Sequence, residues 1–248
     1  MMREEKNNQI GKNIRTNLAL VNQRIAEAAE KAGRDPDEVK LIAVTKMMPV
    51  EVINAAIEVG IRRFGENYAE QAAEKIDIVG KDVDIEWHMI GHIQSRKAET
   101  VCRYFDMVHS LDRMKIARYL DRYAKEQNRV MPVLIEVNLS GEASKYGWEA
   151  SDESLWPKLA DQFQQICAYQ NIDVRGLMTM PPMFDDPEDS RLIYRKLRRL
   201  QQFLNEKVSE SDWNELSIGT SFDYPVAVEE GATMVRIGTE IFGSRLAI

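Results

Sequence analysis

Apolar positions at the start of the chain recur at helical spacing. Ile10, Ile14, Leu18, Val21, Ile25, Ala28 and Ala32 step by three or four residues, which puts them on one face of a long helix, and Gly33 supplies its stop. Asp35-Pro36-Asp37 is a turn. From Leu41 the pattern changes to short apolar runs alternating with amphipathic segments. Strands are predicted over 41–46, 62–67, 85–91, 107–112, 132–138, 174–180, 215–220 and 234–239. The clearest helices between them carry Val50, Ile53 and Ile57 before Gly60, then Leu159, Phe163, Ile166 and Tyr169, then Ile193, Leu197, Leu200 and Leu204 after Asp186-Pro187.

Eight strand candidates separated by helix-like segments in 248 residues predict an α/β fold, a single (β/α)8 TIM-type barrel over 1–248. The extra N-terminal helix, 1–33, is expected to pack on its outside. An open doubly wound sheet is the alternative, but no Gly-x-Gly-x-x-Gly opens a helix after the first strand.

Charge narrows the function. Lys and Arg number 33 against 40 Asp and Glu, and the net charge of −7 argues against a nucleic-acid or anionic-membrane partner. Cys102 and Cys167 are far apart, with no CxxC or Cys/His cluster, and read as reduced thiols without a metal site. The N-terminus lacks an apolar signal core, and no window reaches the roughly 18 apolar residues of a membrane span. A soluble, cytoplasmic protein is expected.

Barrel enzymes keep reactive groups at the carboxyl ends of their strands. Those positions here include Lys46, Asn67, Ser110, Asn138, Thr179, Ser221, Gly238 and Thr239, a polar set that predicts a ligand pocket. Lys46 follows the apolar run Leu41-Ile42-Ala43-Val44 and precedes Pro49, and a desolvated lysine there can form a Schiff base. The plainer reading is a lysine snorkelling at a strand end. Gly238 lets backbone approach a phosphate, Thr239 offers a hydroxyl and an N–H, and Ser221 sits before a short helix. Ser221 could equally cap the helix through Ala227, Val228 and Glu229. Arg236 shares a face with Gly238 and stays charged, so it needs a partner: an inward carboxylate such as Glu136, or an electron-rich ligand atom such as a pyridine nitrogen. A Schiff-base lysine on the first strand and a phosphate site on the last point together to pyridoxal 5′-phosphate.

The sequence also resembles the pyridoxal phosphate homeostasis proteins, a family related to the N-terminal barrel of alanine racemases. The matching stretches run in order through essentially the whole chain. They are Ala43-Val44-Thr45-Lys46, Phe64-Gly65-Glu66-Asn67-Tyr68, Trp87-His88-Met89-Ile90-Gly91, His109-Ser110-Leu111-Asp112 and Val137-Asn138-Leu139-Ser140-Gly141-Glu142, followed by Gly176-Leu177-Met178-Thr179-Met180, Leu216-Ser217-Ile218-Gly219-Thr220-Ser221 and Val235-Arg236-Ile237-Gly238-Thr239. The resemblance implies a cofactor carried as an aldimine on Lys46, a pocket lined by Asn67, a phosphate held by Ser221, Gly238 and Thr239, and Arg236 facing the pyridine nitrogen. Departures fall at His92-Ile93-Gln94-Ser95-Arg96-Lys97, at the methionines after Lys46 and at Thr220. None is one of the residues carried over.

Pyridoxal phosphate enzymes use the ring as an electron sink, best with a protonated nitrogen, and an arginine there disfavours protonation. Racemisation is the remaining chemistry, and in racemases the second base comes from a separate C-terminal domain, for which the five residues after Gly243 leave no room. The favoured expectation is therefore a non-catalytic cofactor-binding protein, with apo-enzymes that use pyridoxal phosphate as acceptors. A racemase-like enzyme and a cofactor-free Schiff-base aldolase are the alternatives. His88 and His109 read as hydrogen-bonded core histidines, Arg195, Lys196, Arg198 and Arg199 as a solvated face or a patch for an acidic partner, and Lys145 as a loop residue that could make a second contact.

Overall fold

Residues 2–80 and 84–243 are described in a computed structural model, with side chains from residue 8 onward; residue 1, residues 81–83 and residues 244–248 lie outside the described set. The strands are β1 (Lys40–Val44), β2 (Arg63–Glu66), β3 (Glu86–Met89), β4 (Met107–Leu111), β5 (Met131–Asn138), β6 (Trp148–Glu149), β7 (Ile172–Met178), β8 (Glu215–Thr220) and β9 (Met234–Ile237). All pair in parallel. Eight of them form the order β4-β3-β2-β1-β9-β8-β7-β5, and β4 pairs with β5, so the sheet closes on itself as a barrel. The open-sheet alternative is thereby corrected: that last ladder leaves no free edge between β4 and β5. The two-residue β6 is a short addition along the end of β5, pairing Val137 with Trp148.

Helices cover the outside: α1 (Met2–Lys31), α2 (Val50–Glu58), α3 (Ala69–Val79), α4 (Ala98–Tyr104), α5 (Met114–Glu126), α6 (Trp156–Cys167), α7 (Ser190–Lys207), α8 (Tyr224–Glu229) and α9 (Thr239–Phe242). One large apolar core lies between them and the strands. A separate cluster of Ile42, Met107, Leu134, Met178 and Met234, one residue from each of five strands, fills the barrel interior. Toward the amino ends of the strands the lining turns ionic, with Lys40 Nζ 2.5 Å from Glu215 Oε1 and Arg63 Nε 2.9 Å from Glu86 Oε2.

α1 buries Ile14, Val21, Ile25, Ala28 and Ala29 and packs on α2, α8 and α9. Ala32 is exposed, because the helix ends at Lys31 and Gly33 adopts φ +66; the Gly33 and Arg34 N–H groups then satisfy the Glu30 and Ala29 carbonyls. α1 is anchored to the far end of the chain: Asn17 Nδ2 donates to the Ile241 carbonyl at 3.0 Å, and Arg24 pairs with Glu240.

Candidate functional site

Lys46 lies just beyond β1, in a turn. The Met48 N–H returns to the Thr45 carbonyl at 2.9 Å, and Met47 takes φ +64, a left-handed conformation that a non-glycine residue adopts at a cost. This is the pattern of a type II turn with Lys46 at its second position. Thr45 is fixed from below. Its N–H reaches the Gly65 carbonyl at 3.0 Å and its hydroxyl donates to Glu66 Oε1 at 2.9 Å. Lys75, on α3, closes the arrangement by donating to Glu66 Oε1 at 2.7 Å and to the Thr45 carbonyl at 2.9 Å. Glu66 is fully buried, and Lys75 is the cation it pairs with.

Arg236 is the second member. β1 and β9 are neighbours, with Ile42 opposite Arg236, and alternation along β9 turns Arg236 and Gly238 the same way. The guanidinium is buried. NH1 donates to the Ser217 carbonyl at 2.7 Å and to Ser217 Oγ at 2.5 Å, while NH2 donates to the Thr179 carbonyl at 3.2 Å and contacts Met180 Sδ. Glu136, the carboxylate considered as its partner, accepts none of these bonds. Burial first, and then the Asp112 carboxylate, push the Glu136 carboxyl up to about 7, with Arg236 opposing.

The third group is the junction of β8 and β9. Ser221 Oγ accepts the N–H of Gly238 at 3.2 Å and of Glu240 at 3.4 Å. Ser221 therefore caps α9, not the helix through Ala227, where Asp223 stands at the N-cap. A Cβ at Gly238 would sit 3.2 Å from the Val44 carbonyl oxygen and 3.3 Å from Val44 Cβ, so β9 passes close to β1 two residues before Lys46. Thr239 is exposed at the first position of α9. The 220–223 turn is pinned by Asp223, whose Oδ1 accepts the Thr220 N–H at 2.8 Å and the Thr220 hydroxyl at 3.1 Å. Its Oδ2 accepts the Tyr194 hydroxyl at 2.5 Å.

Asn67, beyond β2, has a buried Oδ1 with no hydrogen-bond partner among the described residues. A Cβ at Gly91 would lie 2.4 Å from the Asn67 carbonyl oxygen, so only glycine lets this backbone pass. Asn67 lines a cavity of about 210 Å³ with Tyr68, Met89, His92, Gln94 and Arg96. His92 Nδ1 lies 2.8 Å from Asp112 Oδ2 and its ring stacks on Tyr146. Lys145 Nζ donates to the Met180 carbonyl at 2.8 Å and joins two rim loops.

The structure thus places Lys46, Arg236, Gly238, Ser221 and Thr239 on three adjacent strand ends, with Asn67 on the next strand of the same face. An amine, a buried five-donor cation, two hydroxyls beside a close-packed glycine and an orphaned amide oxygen suit an aldehyde-bearing, phosphorylated aromatic ligand. Supporting residues were not anticipated. Ser217, Tyr194, Asp223, Glu66 and Lys75 act through side-chain contacts between distant segments, and although Glu66 and Ser217 stand in the matched stretches, nothing in the sequence joins them to their partners. The basic stretch of α7 is tied down: Arg195 pairs with Glu230, Arg199 with Glu153, and Lys196 donates to the Ser151 carbonyl. Among the described residues no His/Cys/Asp/Glu group is placed to hold a metal ion, and no helix is long and apolar enough to cross a membrane.

Residues 16–246 match the family model of the alanine racemase N-terminal domain. The chain is 40% identical over 228 residues to the pyridoxal phosphate homeostasis protein of Aquifex aeolicus, covering 92% of this chain and 96% of that one. Against the protein of the same name from Escherichia coli it is 35% identical over 240 residues, 94% and 97% of the two chains. PipY of Synechococcus elongatus, solved with pyridoxal phosphate bound, superposes with a TM-score of 0.77 at 34% identity, covering 88% of this chain and all of PipY. Alanine racemase of Clostridium difficile superposes with a TM-score of 0.67 at 16% identity, over 94% of this chain and 57% of the racemase, a likeness of fold.

Proposed function

The chain belongs to the pyridoxal phosphate homeostasis protein family, and from that premise we propose that it binds pyridoxal 5′-phosphate at the Lys46 face of the barrel, as one cofactor-binding unit, and passes it on without turnover. The observation that carries the proposal is the convergence of β1, β9 and β8, which brings the Lys46 turn beside the Arg236–Gly238 segment and the Ser221 turn. When bound, the cofactor supplies an aldehyde for an amine and an electron-withdrawing ring. Lys46 Nζ is the amine. Arg236, a donor at every nitrogen, faces the ring nitrogen and keeps it unprotonated. Ser221 and the N–H groups of Gly238 and Thr239 take the phosphate, and Asn67 Oδ1 turns its free lone pairs to the ligand.

The absence of turnover rests on Arg236, because a ring whose nitrogen meets only donors is a weak electron sink. Acceptors are apo-enzymes that use the cofactor. Met47, Tyr68, Tyr146, Met180, Met183 and Phe222 stand exposed on loops of this face and give such a protein apolar surface to rest on. The two free cysteines fit a reducing cytoplasm.

The test is the visible absorption of the purified chain with added pyridoxal phosphate, followed by borohydride and mass mapping. The expected result is a visible band and a fixed mass increment on Lys46, both absent in Lys46→Ala. A chain that takes up no cofactor overturns the proposal. Lys46-dependent formation of a D-amino acid from its L-enantiomer overturns the claim of no turnover.

A further inference from the structure

Arg236 is one end of a line of polar side chains crossing the barrel interior. Its NH1 reaches Ser217 Oγ at 2.5 Å, and Ser217 Oγ lies 2.8 Å from His109 Nδ1. His109 Nε2 lies 2.8 Å from His88 Nδ1, with the two rings edge to face. His88 Nε2 then faces Glu86 Oε2 at 3.4 Å, within ion-pair distance but without hydrogen-bond geometry. Ser217, His109, His88 and Arg236 are all buried, whereas the Glu86 side chain is half exposed. Glu86 and His88 border a cavity of about 470 Å³ at the amino ends of the strands, opposite the Lys46 face.

One direction along the line uses every proton and suits both ends. A guanidinium only donates, so Ser217 Oγ accepts from Arg236 and has its single proton free for His109 Nδ1. At the other end a carboxylate only accepts, so a proton on His88 Nε2 suits Glu86 and leaves His88 Nδ1 as the acceptor. His109 Nε2 must then donate to it, which leaves His109 Nδ1 to accept from Ser217. The opposite direction would strand the Ser217 proton and set two acceptors facing each other at Glu86. A neutral His109 ring fits the surroundings: burial above all, with the Arg236 charge adding to it, holds its pKa well down. His88 and then, against the opposing effect of burial, Arg63 hold Glu86 ionised.

We propose that Glu86, His88, His109 and Ser217 are positioning residues for Arg236: a one-way chain of donors that orients the guanidinium toward the cofactor pocket and ends on a carboxylate at the opposite mouth of the barrel. The proposal rests on the reading that Arg236 faces the ring of bound pyridoxal phosphate. Its consequence is that Glu86, on the other mouth, governs how firmly Arg236 meets the ring.

Two measurements on the full chain test it. Ring-nitrogen NMR of the cofactor-free protein, which has three histidines, is expected to show His109 and His88 both protonated at Nε2 and bare at Nδ1. His109 protonated at Nδ1, or His88 protonated at both nitrogens, overturns the chain. In the second, Glu86→Gln and Ser217→Ala are titrated with pyridoxal phosphate beside the unaltered protein. The expected result is binding about three- to tenfold weaker in each, with a displaced visible band, and recovery in Glu86→Asp. A lower unfolding midpoint with unchanged binding and band marks the chain as packing alone and overturns the proposal. If the unaltered chain itself fails to load, the functional reading falls, and this inference with it; loading on Lys46 with insensitive variants removes only this inference.

Discussion

The Tyr194 hydroxyl meets Asp223 Oδ2 at 2.5 Å, joining a buried residue of α7 to the turn that follows β8. Because Asp223 also holds Thr220 through its other oxygen, this contact decides where the Ser221 turn stands. Tyr194→Phe leaves a buried carboxylate short of one donor. The expected loss is about 1–3 kcal/mol in urea unfolding. Affinity for pyridoxal phosphate should fall while affinity for pyridoxal, which lacks the phosphate, stays unchanged. Equal losses for both ligands would disconnect the turn from phosphate binding.

Lys75 secures the Lys46 turn from α3 by neutralising Glu66 and holding the Thr45 carbonyl. Lys75→Ala leaves the fully buried Glu66 carboxyl with the Thr45 hydroxyl alone, and should cost about 3–5 kcal/mol. Adding Glu66→Gln should recover a large part of that loss. A double variant no better than the single one would show that Lys75 acts through Thr45 only.

Glu136 gives the cofactor-free protein a pH signature. With its carboxyl raised from 4.5 to about 7, the folded chain binds a proton that the unfolded chain has released between those values. Its contribution is therefore complete below about pH 4.5 and is lost as pH rises through about 7, a change of about 3 kcal/mol. Glu136→Gln lacks this dependence. Urea unfolding of both proteins from pH 4.5 to 8 should give curves whose difference changes across that window, and parallel curves would refute it.

Met47 stores strain beside Lys46. A non-glycine residue at φ +64 costs roughly 1 kcal/mol or more, so Met47→Gly should raise stability by up to about 1 kcal/mol after the added chain entropy. A lower melting temperature would mean that the exposed methionine side chain contributes packing that its exposure does not reveal.

The barrel was legible because each strand declares itself locally, through an apolar run and a punctuating residue. The gathering of Lys46, Arg236 and Gly238 on neighbouring strands was legible for the same reason, each standing in or just after an apolar run. The supports were not. Nothing near Ser217 marks it as the link between Arg236 and His109, whose partners come from β9 and β4. Lys75 looks like any polar residue of α3 until the fold carries it under Thr45. Met47 is a residue type that gives no warning of a left-handed turn. Arg236 calls for an inward carboxylate or an electron-rich ligand atom in sequence, whereas two carbonyls and a hydroxyl supply acceptors in the structure, a solution that periodicity cannot express.

The clasp between Asn17 and Ile241 spans 224 positions of the chain. At synthesis rates of roughly 5–20 residues per second, α1 waits for tens of seconds before the segment it braces is made. The β9–α9 junction, which carries Gly238 and Thr239, is therefore among the last parts of the barrel to be set. A nascent chain has Lys46 early and the Gly238–Thr239 junction late, so the proposed cofactor site exists only once nearly the whole barrel has been made.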